Sequence, residues 1–468
     1  MSSKKSDRKR LNVFFLLLVV LSIPLTLYLL QEGGNILTTA FGKKADLVVI
    51  AGVSYSDGPS GVWKNLAQGG EEKENMLTSV IEQTKQLTPS YIRIDHIFDH
   101  YEIVSIDPTG NLVFNWTKLD KIISDIVATG AKPFLSLSFM PPALSKSGSV
   151  TDISKDWRLW KDLVQKTIEH VSGKNALAIS NVYYEVWSEP DLFGDFKLSG
   201  DKNYLTLYLH SARAANNASN VLPFKLGGPA TTNLYRNWFY RFLQFAKENN
   251  LRLDFYSWHK YSEDVNQFEK DRSALDDWLS DFPEFRNKEF IISEIGHNSE
   301  VDERHDGKFS AIFTLASSAL LESRLNRVFL FEIKDGPGEK KYWGRWGILT
   351  HEKFGEPTPK PRYRAIQFLN QMLGDRVLVG GQGTWVKAFA KNERGIIRVL
   401  VVNYDPRAKH TEAVPITFLN LPTTNFTWRR IDFLGGKRER TITIPASVWS
   451  TVEFFEPNSA AIFEVIPI

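Results

Sequence analysis

The chain has 468 residues, no cysteine and a formal net charge of +3. This length allows one large barrel with an accessory domain, or two to three smaller domains. The absence of cysteine excludes disulfides, zinc–thiolate sites and cysteine nucleophiles, and it leaves oxidising and reducing compartments both open. The nearly balanced charge gives no reason to expect nucleic acid as a partner.

The N-terminal segment differs from the rest of the chain. Residues 1–10 are rich in lysine and arginine, and residues 11–30 are predominantly apolar. At 1.5 Å per residue, a helix over 11–30 matches a hydrocarbon core of about 30 Å. The sequence therefore predicts a short cytoplasmic tail, a single transmembrane anchor, a linker over 31–45 and an extracytoplasmic remainder. A cleaved signal peptide followed by secretion is the alternative.

Residues 46–373 alternate between short β-prone runs and amphipathic helical stretches. The helical stretches begin with Glu71–Leu87 and end with Pro361–Leu373. Apolar strands that alternate with helices are typical of a parallel sheet covered on both faces, and eight repeats favour an α/β fold of the (β/α)8 TIM-barrel type. The predicted strands are Leu47–Val53, Tyr91–Asp95, Pro133–Phe139, Val182–Trp187, Phe224–Gly228, Asp254–His259, Phe290–Glu294 and Arg327–Ile333. For Leu47–Val53, pairing with the C-terminal domain is a second possibility.

The rhythm changes over residues 374–468. Short β-runs follow one another, separated by turn sequences such as Gly435-Gly436 and Pro457-Asn458-Ser459, and helical periodicity is absent. This pattern predicts a C-terminal β-sandwich. The sandwich would either bind carbohydrate or pack against the barrel and stabilise it, and we favour the packing role.

Two glutamates occupy positions where barrel enzymes carry their catalytic residues. Glu189 follows the fourth predicted strand, and Glu294 ends the seventh. Carboxylates at the C-terminal tips of different barrel strands meet at the barrel mouth. A pair of them suggests the acid and the nucleophile of glycosidic bond cleavage, although either glutamate alone would be weak support.

Further candidates lie at the ends of other strands. Arg93 can stabilise a nucleophilic carboxylate, or it can simply pair with Asp95. His259 and Tyr261 can orient the nucleophile or sugar hydroxyls, although a buried wall histidine is the alternative for His259. Trp343 and Trp346 follow the eighth strand, where loops line the mouth, and they are predicted sugar platforms.

Six stretches in order resemble a known family. The barrel is similar to the retaining glycoside hydrolases of clan A, and most closely to glycoside hydrolase family 39, which includes β-xylosidases, α-iduronidases and enzymes that cleave exopolysaccharides. The stretches are Tyr91–Asp99, Leu137–Pro141, Glu185–Asp191, Gly227–Ala230, Asp254–Tyr261 and Ser293-Glu294. The resemblance implies that Glu189 is the acid/base and Glu294 the nucleophile. The sequence has no metal-ligand cluster with the usual spacing and no glycine-rich phosphate loop, so we expect no metal and no organic cofactor. The candidate substrate-binding residues are Arg93, His96, Trp187, Ser188, His259, Tyr261, Phe331, Trp343 and Trp346.

The chain departs from the family pattern at three places. The family usually has an asparagine before the acid/base, where it hydrogen-bonds the sugar 2-hydroxyl, and this chain has Ser188. Phe331 takes the place of a tryptophan on the eighth strand. Lys260 would put a cation near the mouth, which would favour an acidic sugar unless the side chain points into solvent. Glu332 is a nearby carboxylate without an assigned role.

The sequence thus predicts a membrane-anchored retaining glycoside hydrolase that acts on an extracytoplasmic oligo- or polysaccharide by double displacement. Its partners would be the carbohydrate substrate and, through the N-terminal helix, the membrane. A carbohydrate-binding pseudoenzyme, for which Ser188 speaks, and a transglycosylase on the same barrel are the alternatives. The sugar, the anomeric configuration and the oligomeric state are not accessible from the sequence.

Overall fold

The computed structural model describes residues 42–55, 61–73, 76–322 and 324–468. The predicted basic tail, the predicted transmembrane helix over 11–30 and most of the predicted linker lie outside these residues. No helix within the described ranges combines the length and the apolarity needed to cross a bilayer.

Eight parallel strands close into a barrel in the order in which they occur along the chain. Seven of the predicted barrel strands are confirmed. The barrel strands are β2 (Asn65–Gln68), β3 (Tyr91–Ile94), β6 (Lys132–Leu137), β7 (Val182–Val186), β8 (Phe224–Thr231), β9 (Phe255–Tyr261), β10 (Glu289–Gly296) and β11 (Arg327–Phe331). Their inward side chains fill the barrel with aromatic rings, such as the stacked Phe134 and Tyr183, which accounts for part of the high aromatic content. A two-stranded hairpin, β4 (Val104–Ile106) and β5 (Leu112–Phe114), follows β3.

Helices connect successive barrel strands and cover the outside of the barrel. In α3, buried side chains recur three and four residues apart, from Trp160 to Val171, and the Asp156 side chain caps the first turn by accepting from the Arg158 amide. The helices are α1 (Ile81–Lys85), α2 (Thr117–Ala128), α3 (Trp157–Val171), α4 (Tyr204–Asn217), α5 (Arg236–Glu248), α6 (Asn266–Trp278), α7 (Lys308–Leu321) and α8 (Pro361–Leu369). The predicted helix over 71–87 is therefore much shorter, because α1 begins only at Ile81.

The prediction that Leu47–Val53 is the first barrel strand is wrong, and the second possibility is correct. β1 (Leu47–Tyr55) pairs with two strands of the C-terminal domain. Its residues alternate between buried and partly exposed up to Ile50, as expected for a strand that is covered on one face. The first barrel strand is Asn65–Gln68, which escaped notice because its Asn and Gln interrupt the apolar pattern. The barrel therefore begins after residue 60, and the predicted boundary at 46 is corrected.

The C-terminal domain is a nine-stranded sheet around its own apolar core. Its strands run in the spatial order β17-β16-β19-β14-β13-β12-β1-β15-β18. The two ends approach each other, since Arg430 on β16 bonds Glu453 on β18 at 3.0 Å, which gives the predicted sandwich with β1 added. The remaining strands are β12 (Asp375–Gly380), β13 (Val386–Glu393), β14 (Ile396–Asn403), β15 (Glu412–Leu419), β16 (Asn425–Asp432), β17 (Lys437–Thr443), β18 (Trp449–Phe455) and β19 (Ser459–Pro467).

The sandwich packs against the barrel, as the sequence favoured. Tyr404, which follows β14, contacts Phe309 and Phe313 of α7 with ring centroids 5.6 and 6.0 Å apart. Its hydroxyl donates to the Glu263 carbonyl at 2.8 Å. Phe389, Leu400 and other sandwich residues belong to the same apolar cluster as the barrel helices. One face of the sandwich therefore joins the apolar cluster of the barrel helices, while the sandwich keeps a separate core of its own.

Candidate active site

A cavity of about 320 Å³ opens at the carboxyl ends of the barrel strands. Its wall contains both predicted glutamates, several further acids and a group of aromatic rings. The lining residues are Gly69, Gly70, Glu71, Asp95, His96, Phe139, Ser188, Glu189, Leu192, Phe193, Tyr261, Glu294, Ser299, Glu300, Phe331 and Trp346. The cavity therefore lies where the sequence placed the site, between residues that come from distant parts of the chain.

Glu294 is surrounded by donors. The Tyr261 hydroxyl donates to its Oε1, Arg93 Nη1 lies 3.6 Å from its Oε2, and His259 Nδ1 lies 3.5 Å from the same oxygen. Burial raises the pKa of Glu294, and the charge of Glu189 raises it further, whereas His259, Arg93 and Tyr261 act to lower it. The net shift of the Glu294 pKa is upward, so the three donors offset only part of the cost of placing a charge on this buried carboxyl group.

His259 joins the two glutamates. Its ring is fully buried, and its Nδ1 lies 2.8 Å from Glu189 Oε1. Burial lowers the pKa of His259, but the facing carboxylates of Glu294 and Glu189 outweigh it, and the net shift is upward. His259 therefore tends to carry a proton between two acids, which reduces the repulsion between them.

One oxygen of each glutamate and a ring nitrogen of His259 all lie within 4.8 Å of one another. Retaining glycosidases hold their two carboxyl groups about 5–5.5 Å apart, and inverting enzymes hold them about 6.5–9.5 Å apart to admit a water. The spacing here fits the retaining geometry, in which one carboxylate reaches the anomeric carbon directly.

Arg93 is a fully buried cation at the base of the site. Its Nε donates to Glu185 Oε2 at 2.8 Å, and its Nη2 donates to Ser188 Oγ at 3.0 Å. Burial by itself disfavours the cation, yet Glu185, Asp95 and Glu294 raise the pKa of Arg93 on balance. The ion pair with Glu185 was not anticipated, although a glutamate inside the apolar run of β7 was the signal. Arg93 links the strand that precedes Glu189 to Glu294 itself.

Several residues at the strand ends have left-handed backbone angles. Trp187 has φ 73°, Glu189 φ 47°, His96 φ 55° and Ala230 φ 54°. Such angles in non-glycine residues cost about 1–3 kcal/mol each and concentrate at functional sites. The Glu189 amide is held in this turn by donating to the Ala230 carbonyl at 2.9 Å. The fold thus maintains backbone strain where it aims the side chain of Glu189.

Comparison with known proteins gives the same family as the sequence motifs. The model of the glycosyl hydrolases family 39 matches residues 62–288. The chain is glycoside hydrolase family 39-like. The barrel motifs that carried the resemblance lie in or next to this range, and the predicted resemblance is confirmed.

Individual relatives agree with this family 39-like assignment. The chain is 28% identical over 308 residues to a β-xylosidase of Geobacillus stearothermophilus, covering 59% of this chain and 60% of the relative. It is 28% identical over 331 residues to a β-xylosidase of Caldicellulosiruptor saccharolyticus, covering 62% and 64%. The fold resembles that of a monomeric β-xylosidase of Caulobacter crescentus, with a TM-score of 0.72, 18% identity and coverage of 91% and 100%. The matched region spans less than two thirds of both sequence relatives.

The predicted aromatic contacts divide into two groups in the family 39-like barrel. Phe331 and Trp346 line the cavity with ring centroids 5.3 Å apart, and His96 lies in the wall with its Nδ1 2.9 Å from Asp99 Oδ2. Trp187 is fully buried behind the wall, and Trp343 is not among the lining residues. The prediction that Trp187 and Trp343 contact the sugar directly is therefore corrected. Trp187 packs behind the wall against Phe139, and Trp343 packs beside Gly338.

Lys260 and Glu332 face away from the cavity. Lys260 Nζ donates to Asn233 at 2.8 Å and to Asp271 at 3.2 Å, outside the barrel mouth, so it offers no charge to a sugar in the cavity. The Glu332 side chain is fully buried and accepts from Gln68 Nε2 at 3.0 Å. Burial, together with the nearby Glu71 and Asp335, raises the pKa of Glu332 well above its usual range. Glu332 lies behind the cavity wall, where burial favours the protonated form of its carboxyl group.

Three clusters among the described residues bring metal-ligand atoms together. In the cluster of His96, Asp99 and His100, the two rings are stacked 4.0 Å apart at 15°, so their in-plane lone pairs do not converge on one point. In the cluster of Glu72, His351 and Glu352, the Lys334 ammonium already bonds both carboxylates, at 3.0 and 2.9 Å. The third is the Glu189–His259–Glu294 group.

Several lining residues were not among the predicted site residues. Gly69, Gly70 and Glu71 follow β2, which the sequence had not identified as a barrel strand. A Cβ on Gly70 would stand 2.4 Å from the His96 ring, so this glycine permits a close approach of the loop to the site. Leu192 and Phe193 lie in the loop that follows Glu189, and neither residue was among the predicted site residues. An apolar pair directly after Glu189-Pro190-Asp191 was the available signal.

Proposed function

We propose that the protein is a retaining glycoside hydrolase that acts by double displacement, with Glu294 as nucleophile and Glu189 as general acid/base. The observation that carries the proposal is the pair of carboxylates within 4.8 Å of each other at the mouth of a parallel barrel. The family 39-like sequence supports the same chemistry.

In the first step, a Glu294 carboxylate oxygen attacks the anomeric carbon while the bond to the leaving-group oxygen breaks. Glu189 donates its proton to that oxygen, and a glycosyl ester on Glu294 results. Arg93, His259 and Tyr261 hold Glu294 in place from three directions. Because these donors are fixed before substrate arrives, little reorganisation is needed as charge moves off the nucleophile.

In the second step, water attacks the anomeric carbon of the ester. Glu189, now a carboxylate, takes the water proton, and Glu294 leaves as a carboxylate. The sugar is released with its original anomeric configuration, and Glu189 is protonated again for the next cycle. His259 contacts Glu189 throughout and can compensate its change of charge.

We further propose a neutral β-xyloside-type substrate. Two relatives named as β-xylosidases support this choice. The lining carboxylates Asp95 and Glu300 would oppose a negatively charged sugar, the charge of Glu71 is paired with Arg345, and Lys260 does not reach the cavity. These charges disfavour an acidic sugar such as a uronate, which the sequence had suggested because of Lys260.

The N-terminal sequence supports a cellular location for this activity. A basic segment followed by the apolar stretch 11–30 fits a single-pass anchor with the barrel outside the cytosol. Protease added to intact cells should then remove the barrel domain while the N-terminal tail stays protected. Release of the whole protein into the medium would instead indicate a cleaved signal peptide.

The experiment that tests the function is product analysis on a panel of aryl glycosides and oligosaccharides that includes β-xylosides. Proton NMR of the first product formed should show the β-anomer before mutarotation. An α-anomer as first product would contradict the retaining mechanism, and transfer of the sugar to an added alcohol in preference to water would indicate a transglycosylase. Binding without any cleavage would establish the pseudoenzyme.

The acid/base role of Glu189 has its own test. Glu189→Ala should still form the glycosyl ester from a 4-nitrophenyl glycoside, because that leaving group needs little protonation. The same variant should lose at least about 100-fold in kcat/KM on a disaccharide, whose leaving group needs a proton. Added azide should restore turnover of the aryl substrate and give the β-glycosyl azide. Equal losses on both substrates would exclude Glu189 as the general acid.

A further inference from the structure

An exposed apolar pair stands at the rim of the cavity. Leu192 is 59% exposed and Phe193 is 43% exposed, and both line the cavity. Within the described residues, they are the two large hydrophobic side chains that combine such exposure with a place in the cavity wall. Isolated exposed hydrophobics on a surface need no explanation, but an adjacent pair at the mouth of a site is a candidate ligand contact.

The pair is held in a fixed position. The Leu192 and Phe193 amides both donate to the Glu189 carbonyl, at 2.9 and 2.7 Å. The Phe193 carbonyl accepts from Trp187 Nε1 at 2.8 Å, and its ring meets that of Phe139 with centroids 5.5 Å apart. A rigid apolar surface loses little conformational entropy on contact with a ligand. The pair is therefore built as a binding surface and is anchored to the acid/base residue itself.

The position of the pair identifies which part of a substrate it meets. The loop that carries Leu192 and Phe193 follows the fourth barrel strand, whereas Phe331 lies on the eighth, which is opposite in a closed barrel of eight strands. Glu189 protonates the oxygen of the leaving group, so the leaving group must lie on the Glu189 side of the cavity. The side formed by Phe331 and Trp346 is then left for the sugar that is transferred.

We propose that Leu192 and Phe193 form the leaving-group subsite, and that this subsite selects leaving groups with an apolar face, either the C–H face of a sugar ring or an aryl ring. The proposal rests on the proposed function, because it uses Glu189 as the acid. Flat apolar surfaces of this kind stack on aromatic side chains. The surface carries no charge of its own, so recognition is by shape and apolar contact.

The test compares two substrates that share the glycone accepted by the wild-type protein and differ in the leaving group. A disaccharide places a ring over Leu192 and Phe193, whereas a glycosyl fluoride releases a single atom that cannot reach them. In Phe193→Ala, and more strongly in the double variant with Leu192→Ala, kcat/KM for the disaccharide should fall about tenfold or more. For the fluoride it should stay within about twofold of wild type.

Two further variants separate contact from support. Phe193→Leu keeps an apolar surface and should retain most of the disaccharide activity. Phe454→Ala removes another exposed phenylalanine, on the distant strand β18, and should affect neither substrate. A 4-nitrophenyl glycoside carries a ring but needs little protonation, so its kcat/KM should fall together with that of the disaccharide in Phe193→Ala. Retained activity on this aryl substrate would mean that Phe193 only supports Glu189 and would overturn the proposal, as would equal losses on disaccharide and fluoride or no loss on either. Failure of the wild type to hydrolyse any glycosyl fluoride would contradict the proposed function instead.

Discussion

In the described part of the chain, buried polar groups are hydrogen-bonded or ion-paired at the amino end of the barrel, whereas several at the carboxyl end are not. At the amino end, Tyr183 donates to Glu289 Oε2 at 2.7 Å, Arg327 Nε donates to the Tyr183 hydroxyl at 3.0 Å, and Lys225 pairs with Glu289. The Arg327 guanidinium also lies 4.2 Å from the centre of the Tyr91 ring. Every charge in this group has a partner, and the group closes the base of the barrel.

At the carboxyl end, buried polar atoms are left without hydrogen bonds. Arg93 Nη1, Glu185 Oε1, Asp95 Oδ1, His259 Nε2 and Ser293 Oγ make none within the described residues. An unpaired buried polar atom costs about 1–3 kcal/mol, and such atoms are rare in folded proteins. Compared with the paired group at the amino end, these unpaired groups indicate that the carboxyl end gives up stability to keep charged groups positioned.

The largest expected effect is at the carboxyl end, in Glu294→Gln. The substitution removes the nucleophile and keeps the shape, so kcat should fall by at least about 10⁴-fold. Thermal unfolding should occur at an equal or higher temperature, because a buried charge near Glu189 is removed. Steady-state kinetics and calorimetry measure the two effects. A loss of activity accompanied by a clear drop in Tm would mean that Glu294 stabilises the fold, which would contradict the difference between the two ends of the barrel.

The opposite result is expected at the amino end, in Glu289→Gln. This change weakens the hydrogen bond from Tyr183 and removes the charge that faces Lys225, so the free energy of unfolding should fall by about 1–3 kcal/mol. kcat/KM should be unchanged at a temperature where the variant is folded. Urea unfolding gives the free energy, and Glu284→Gln is a matched control, since its exposed pair with Lys247 should contribute little. A change in kcat/KM would show that the two ends are coupled.

The contrast also explains what the sequence could and could not predict. Glu189 and Glu294 were found because each follows an apolar run, and the barrel was found because its strands are buried on both faces. β2 was missed because Asn65 and Gln68 are buried polar residues whose partners come from distant segments. Gln68, for example, binds Glu332 and the Lys334 backbone. Local sequence patterns contain no information about such partners.

The same limit applies to individual side chains at the site. The sequence offered two partners for Arg93, the nucleophile and the neighbouring Asp95, and Arg93 Nη1 does lie 3.6 Å from Glu294 Oε2. Its ion pair with Glu185, 92 positions away, was not among the candidates. The sequence placed Trp187 in the site because the residue adjoins Ser188 and Glu189. The left-handed backbone at Trp187 turns its ring into the core instead. Neither the pairing nor the turn follows from the order of residues alone.

A smaller effect is expected from a substitution of Ser188, which lies next to the buried Arg93 at the bottom of the cavity. This substitution tests whether position 188 contacts the substrate. Ser188 Oγ accepts from Arg93 Nη2, which leaves its O–H and one lone pair for a sugar 2-hydroxyl, but the side chain is shorter than that of asparagine. Ser188→Asn adds an amide that can donate, so kcat/KM on a 2-hydroxy glycoside should change by about tenfold. The corresponding 2-deoxy glycoside, which lacks that hydroxyl, is the control substrate. An equal change on both substrates, or none on the hydroxy sugar, would disprove a role for this position in 2-hydroxyl recognition.

The smallest effect is a pH dependence of stability at Glu332, which lies beside the site but takes no part in the chemistry. Burial raises the pKa of Glu332 in the folded protein, whereas the unfolded chain ionises near pH 4.3. As pH rises above about 4.3, the unfolded state therefore loses this proton and the folded state keeps it, so wild-type stability falls. Glu332→Gln does not titrate and retains an oxygen for Gln68 Nε2. Its stability relative to wild type, from urea unfolding, should increase between pH 4.5 and pH 7. A difference that stays constant with pH would show that Glu332 ionises normally.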